Sequence, residues 1–425
     1  MEQSPAILNK FLGTAGLQVA SKALSVVAGV ILARYLGPEQ YGLYTYVLSI
    51  IAILTIPVIA GLPQLLIREI AQAELAHEWH ELKGLLRWST AFIIITSAIV
   101  MLTTMVILQL GFITSQTASL LWFALFLIPI KSFSSKQGAI LNGFRKPILG
   151  LFPEFILMPL LAILIYLYFI VSKTVFTSLL LIKVQIVTSA LTLLLGMGLI
   201  FKERAKNLEQ VNPIYRLRKW HIALLPFTLM VFISTMNAQL AHVFLGYFDE
   251  KESVAAFKVA LQGVTLVTLG FAAVNNIIGP RVARLYKSGD IPSTQALLTK
   301  SVKLSACFSI PIAIVLIFFG DWFIGLLFGE QYLASYPILI ILCIGQIINI
   351  CFGSVSLVLN MTGNEKRSLK ALCITLCINI FLLFILVPSY KAIGAALSVS
   401  VSLVLWNVWM SADVYSITKL KTWLC

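Results

Sequence analysis

Long apolar runs separated by short polar breaks recur along the whole chain. Twelve are long enough to cross about 30 Å of hydrocarbon as helices of about 20 residues. They fall near 11–33, 43–60, 89–110, 118–141, 148–171 and 175–201, then 221–246, 254–279, 303–319, 336–360, 368–388 and 392–416. A helix satisfies its backbone polar groups internally, which hydrocarbon requires. The pattern therefore predicts an all-α integral membrane chain of twelve transmembrane helices. The first run, Phe11 to Ala33, is too long for a signal-peptide core and is interrupted by Lys22, so it reads as a span rather than a cleaved leader.

The breaks carry a second order. The stretch Ala33 to Ile50, ARYLGPEQYGLYTYVLSI, returns in weakened form 213 residues later in a chain of 425. Without gaps, Leu32 meets Leu245, Glu39 meets Glu252, Tyr44 meets Phe257, Leu48 meets Leu261 and Arg68 meets Arg281. An offset of half the length predicts two fused copies of one unit: a six-helix half at 1–201, a basic linker at 202–219 and a second half at 220–425. Doubled bundles with a site between the halves are a common transporter plan. Within the repeat, Leu36-Gly37-Pro38-Glu39 is a turn signal, which reads as a hairpin setting the angle of the first two spans rather than as a substrate contact.

Composition agrees: 59% hydrophobic residues, 11% charged and a mean hydropathy of +0.96 exceed what a soluble core needs. Charge then sets an orientation. Lys and Arg number 31 against 17 Asp and Glu. With both termini cytoplasmic, the inner side holds Lys10, the basic run Lys202, Arg204, Lys206, Arg216, Arg218 and Lys219, and Arg281, Arg284 and Lys287. The outer side keeps only Arg34, Lys173, Lys251 and Lys391. The basic balance thus belongs to membrane-flanking loops; no aromatic-interleaved basic domain for nucleic acid is present.

No loop could house a soluble catalytic domain, and acids are nearly confined to loops. The four histidines, His77, His80, His221 and His242, assemble with them into no nucleophile or metal cluster, so the chain reads as a transporter rather than an enzyme, with no cofactor or metal expected. His77 and His80, with Glu74, Glu78 and Glu81, read as a solvated charged helix. The six cysteines lack zinc or redox spacing and read as apolar packers.

Candidate chemistry lies in the charges inside spans, where a lysine at a helix centre costs roughly 2.5 to 3.5 kcal/mol. Lys22 is the twelfth residue of a 23-residue span, too deep to snorkel. Thr14, Gln18, Lys22, Ser25 and Gly29 fall within about 80° on a helix, a polar stripe on an apolar cylinder. The seventh span repeats this with Thr235, Gln239 and His242, the eighth with Lys258, Gln262 and Thr265, continuing to Asn276. Ser25 and Thr265 also suit interhelical hydrogen bonding, and a lone His242 suits packing. Lys22 has no predicted acid at its depth and reads as a cavity cation. In the fourth span Lys136 reads as snorkelling, while Lys131 fits either role; Glu154 reads as a partner of Arg145 or Lys146.

The phrases ARYLGPEQYGLY, GLPQLLIREIA (Gly61 to Ala71) and LNGFRKP (Leu141 to Pro147) resemble the polysaccharide transporter family. These are the Wzx-type O-antigen flippases of the multidrug, oligosaccharidyl-lipid and polysaccharide exporter superfamily. The resemblance implies a MATE-like pair of pseudo-symmetric six-helix bundles with a V-shaped central cavity. It implies a cargo of oligosaccharide on a polyprenyl pyrophosphate, moved by alternating access across a bacterial inner membrane. It further implies membrane lipid, a coupling H+ or Na+, and a polysaccharide polymerase and chain-length regulator as partners. A lipid II-type flippase and a cation-coupled multidrug exporter stand as alternatives. The late seventh span reads NAQLAHVFLGY, departing from the charged signature of many members.

Overall fold

The computed structural model describes residues 4–111, 114–203 and 211–424, with residues 4–12 and 15 as backbone only. Among them every regular element is a helix. In order these are α1 (Ser4–Leu54), α2 (Ile56–Ile59), α3 (Leu62–Ala76), α4 (Trp79–Gln109), α5 (Ser115–Ala124), α6 (Leu127–Gly143) and α7 (Pro147–Phe152). A π-helical turn at Pro153–Leu157 leads into α8 (Met158–Val171), followed by α9 (Ser178–Glu203), α10 (Leu217–Phe248), α11 (Lys251–Lys287) and α12 (Ile291–Leu327). A 3-10 turn at Glu330–Tyr332 precedes α13 (Ser335–Phe352), α14 (Val355–Met361) and α15 (Glu365–Thr418).

Ten stretches among the described residues are long and apolar enough to cross a membrane. Two of them, Gly16–Ala76 with 61 residues and Glu365–Thr418 with 54, have the length of two crossings each. Each is interrupted by a non-helical residue, Gly37 (φ 77°, ψ 167°) and Lys391 (φ 50°, ψ −130°). At the second break the chain reverses: a Cβ on Gly394 would lie 2.2 Å from the Leu386 carbonyl oxygen, although eight residues of unbroken helix span about 12 Å. The layout is consistent with twelve crossings.

The repeat reappears in the punctuation of the helices. The Gly37 break has its counterpart 213 residues on at Glu250, the N-cap of α11. His77, which caps the end of α3, corresponds to Asp290, the N-cap of α12. Ser178, the first residue of α9, corresponds to Lys391.

Side-chain distribution follows membrane logic. On α4 the row Ile95, Ile99, Leu102 and Val106 is exposed, whereas Ser89, Ser97 and Thr104 are buried. Small polar residues let helices approach, and the apolar row faces lipid.

Packing divides the chain into two compact units: residues 1–28 with 47–239, and residues 29–46 with 240–425. The division thus assigns 29–46 to the second unit and 220–239 to the first. The first unit is built around α6, packed on α3, α4, α7 and α9; the second around α11 and α13, packed on α12, α14 and α15.

The described end of the expected linker is attached to the first unit. Ile214 N–H donates to the His80 carbonyl (3.0 Å), Lys83 Nζ to the Val211 carbonyl (2.8 Å), and His80 Nδ1 lies 2.8 Å from the Asn212 carbonyl. Arg216 pairs with Glu81. Lys219 Nζ lies 2.7 Å from Glu69, which Arg68 also contacts at 2.9 Å. Trp220, fully buried, packs against Trp88 with ring centroids 5.2 Å apart and the planes tilted by 39°. Residues 211–220 therefore form a strap on α3 and α4. Arg204 and Lys206 lie outside the described residues.

Candidate functional site

In the first unit, Gln18, Lys22 and Ser25 occupy one row of α1. Gln18 and Ser25 are exposed and Lys22 is half-buried; the Ser25 hydroxyl donates to the Ser21 carbonyl at 2.8 Å. Among the described residues Lys22 has no ion pair. Gln239 is half-buried on α10. Lys131 is half-buried, and its charge acts on Glu154, the second residue of the π-helical turn. Glu154 also lines a hole of about 10 Å³ with Ser134, Gln137 and Thr192, room for about one water. Arg145, its expected partner, lies 3.6 Å from Glu74.

Lys136 requires a correction. It does not snorkel: it is buried, and its ammonium donates to the Leu86 carbonyl at 2.9 Å and to the Thr90 hydroxyl. Acceptors on α4 satisfy the charge where it stands, so the side chain has no reason to reach for water. Gln137 beside it donates to the Leu193 carbonyl at 3.0 Å.

In the second unit the part of the 33–50 motif up to Tyr46 acquires a physical role. A Cβ on Gly29 would lie 1.8 Å from Gln262 Nε2, and one on Gly42 would lie 1.6 Å from the Lys251 carbonyl oxygen. The Gln262 amide donates to the Tyr41 hydroxyl at 2.8 Å. Tyr332 donates to the Ala33 carbonyl at 2.8 Å and packs edge-on against Tyr41 at 6.4 Å. Arg34 donates to the Leu326 carbonyl at 3.2 Å, and the Lys251 ammonium sits 4.0 Å over the Tyr46 ring. Small residues at two close approaches, with tyrosines and Arg34 at the other contacts, make this strip a docking surface for α11 and the α12–α13 turn.

The remaining candidates separate. His242 is buried with its ring 5.2 Å from Phe257, edge-on. Lys258 is half-buried and, among the described residues, has no ion pair. Gln262 is buried in the strip interface. Asn276 is half-buried, and its neighbour Asn275 accepts from the Ser354 hydroxyl. The structure thus gathers Gly29, Tyr41 and Gln262, while Lys22 and Lys258 each have no ion pair among the described residues.

Sequence reasoning missed an amide chain that runs from buried Asn407 to half-buried Asn349 and Gln346: Asn407 donates to Asn349 at 2.9 Å, and Asn349 to Gln346 at 3.0 Å. Three amides within spans ten and twelve were the available signal. It also missed a pair of turns. Asp249, after α10, lies 3.1 Å from Lys391 Nζ and accepts from the Ser253 hydroxyl at 2.6 Å. Burial raises the Asp249 pKa, but the Ser253 hydroxyl, the Glu250 backbone N–H and Lys391 together hold it below the usual carboxylate value.

Known proteins share this design. The lipid II flippase MurJ in an inward closed conformation superposes with a TM-score of 0.75 at 16% identity, covering 95% of this chain and 87% of that one. An inward-facing multidrug resistance MATE family transporter of the MOP superfamily gives 0.77 at 15% identity, over 94% and 96%. At such identities these likenesses concern the fold. In sequence, the capsular polysaccharide biosynthesis protein CapF of Staphylococcus aureus is 24% identical over 197 residues, 46% of this chain and 50% of that protein. The Haloferax volcanii protein named Probable low-salt glycan biosynthesis flippase Agl15 is 26% identical over 181 residues, 42% and 38%. The chain therefore spans half or less of the length of these curated relatives. A MatE family model matches residues 226–385. The model for polysaccharide biosynthesis proteins matches residues 7–285, about two thirds of the chain and wide enough to include the docking strip and its echo, and the chain accordingly belongs to that family.

Proposed function

We propose that this multi-pass membrane protein is a flippase. It carries undecaprenyl-pyrophosphate-linked oligosaccharide repeat units, of O-antigen or a related surface polysaccharide, from the cytoplasmic to the periplasmic leaflet of a bacterial inner membrane. Both termini are cytoplasmic, and the cycle is alternating access. The observation that carries the reading is Lys22, deep in the first span, half-buried and without an ion pair among the described residues. A pyrophosphate brought into a low-dielectric setting needs compensating positive charge, and an ammonium is an adequate point-charge partner. Lys258 and Lys131 add to that charge, and Gln18, Ser25, Gln239 and Asn276 offer hydrogen bonds to sugar hydroxyls. His242, beside the Phe257 ring, and Gln262, bonded to the Tyr41 hydroxyl, complete the proposed cavity set. The names of Agl15, a glycan biosynthesis flippase, and MurJ, a lipid II flippase, support the class.

The test is surface polysaccharide in cells carrying Lys22→Ala. We expect its loss with normal membrane abundance, partial retention with Lys22→Arg, and little effect of Lys366→Ala. Normal glycan with Lys22→Ala, or disappearance of the variant protein, would make Lys22 structural. The MatE match at 226–385 keeps a drug exporter as second reading. That reading requires hypersensitivity to cationic drugs on deletion, with surface glycan intact.

A further inference from the structure

The last described residues fold back on the second unit along a defined course. Gln295 near the start of α12 grips the backbone of Lys421 from both sides: its amide donates to the Lys421 carbonyl and its oxygen accepts from the Lys421 N–H, each at 2.8 Å. Leu424 N–H donates to the Cys351 carbonyl at 2.8 Å. Between these ties the chain passes over Gly353, which stands at φ 70°, ψ −157° between α13 and α14. That region is essentially glycine-only, and a Cβ there would lie 2.4 Å from the Thr422 carbonyl oxygen. Leu420 and Thr422 are fully buried, while Lys419 and Lys421 are exposed and Trp423 is half-buried. Exposed Lys421 and half-buried Trp423 thus flank buried Thr422.

Along this tail runs an open groove of about 400 Å³, lined by Cys351, Phe352, Ser411, Trp423 and Leu424. Its volume is in the range of small-molecule sites. Its walls are largely apolar and its flank cationic. The medium against these spans is lipid, so an acyl chain is the apolar group present at highest concentration. Lys419 and Lys421 complement a phosphate, and Trp423 with Tyr415, 5.9 Å apart, is the aromatic pair expected at headgroup level.

We propose that this groove is a binding site for an anionic phospholipid, the acyl chain lying along Phe352, Trp423 and Leu424 and the phosphate against Lys421 and Lys419. The proposal is independent of which cargo the protein moves.

The experiment uses the full chain in detergent with phosphatidylglycerol or phosphatidylcholine brominated on the acyl chain, followed by tryptophan quenching. Brominated phosphatidylglycerol should quench a component absent from Trp423→Phe, a conservative variant that keeps an aromatic wall. Ser411→Phe, which fills the groove floor, should lose the same component at an unchanged thermal transition. Lys421→Glu should weaken phosphatidylglycerol at least about fivefold, since each basic residue near an anionic surface contributes on the order of fivefold, while Lys366→Glu should not. The proposal is overturned if Trp423→Phe or Ser411→Phe leaves quenching unchanged, or if both lipids quench Trp423 equally. It is also overturned if equimolar polyprenyl phosphate displaces phosphatidylglycerol, since the groove would then belong to a prenyl chain.

Discussion

Gly37 and Gly42 stand five residues apart and are required by different physics. Gly37 adopts φ 77°, ψ 167°, a conformation nearly closed to residues with a Cβ, yet open space surrounds it. Gly42 lies in helix, but a Cβ there would lie 1.6 Å from the Lys251 carbonyl oxygen, and backbone cannot swing aside as a side chain can. Gly37→Ala should cost about 1 to 2 kcal/mol of stability through strain alone. Gly42→Ala should cost more, about 3 kcal/mol, because the strip must lift from α11. Thermal unfolding in detergent separates the two, and equal losses would remove the docking role of the strip. The glycine at 37 was legible beside Pro38 as a break. The one at 42 was not, since its constraint comes from residue 251, across two hundred residues of chain. Lys136 was misread for the same reason: its acceptors, the Leu86 carbonyl and Thr90, lie on another helix.

Between residue and molecule lie the turns, where two hairpins of the second unit are joined by one ion pair. Asp249 follows α10, and Lys391 interrupts α15 with positive φ. Because the Asp249 pKa is lowered in the fold, its contribution is present above the unfolded value near 3.8 and is lost as pH falls through the folded value. Wild type should therefore exceed Asp249→Asn by about 1 kcal/mol at neutral pH, and the gap should close below about pH 4. Melting curves across that window decide; a constant gap would show that the carboxylate charge is irrelevant. At this scale the sequence was most informative about where helices lie in hydrocarbon and least about where they stop. The eighth span reads as 254–279, whereas α11 runs from Lys251 to Lys287. Apolarity ends where lipid ends, but a helix continues through Arg281 and Arg284 into water at little cost.

For the molecule as a whole, the charge asymmetry of the loops makes a topological prediction. Cysteine placed at Glu39 or Asp321 should be labelled by an impermeant reagent from outside intact cells, and Arg216→Cys only after permeabilisation. Labelling of Arg216→Cys from outside would invert the proposed orientation and, with it, the proposed direction of transport. The packing division has a consequence for how the protein can be assembled. Residues 29–46 leave the ribosome some two hundred residues before the helices they dock on, since their unit continues at 240–425. Until then the faces of Gly29, Tyr41 and Gly42 await their complement. A gene cut within 204–210 would give two polypeptides, the second lacking a piece of its own core that the first carries. Expressed alone, the 211–425 fragment should be degraded, and co-expression with 1–210 should rescue it. Rescue should fail when the first fragment carries Gly42→Val.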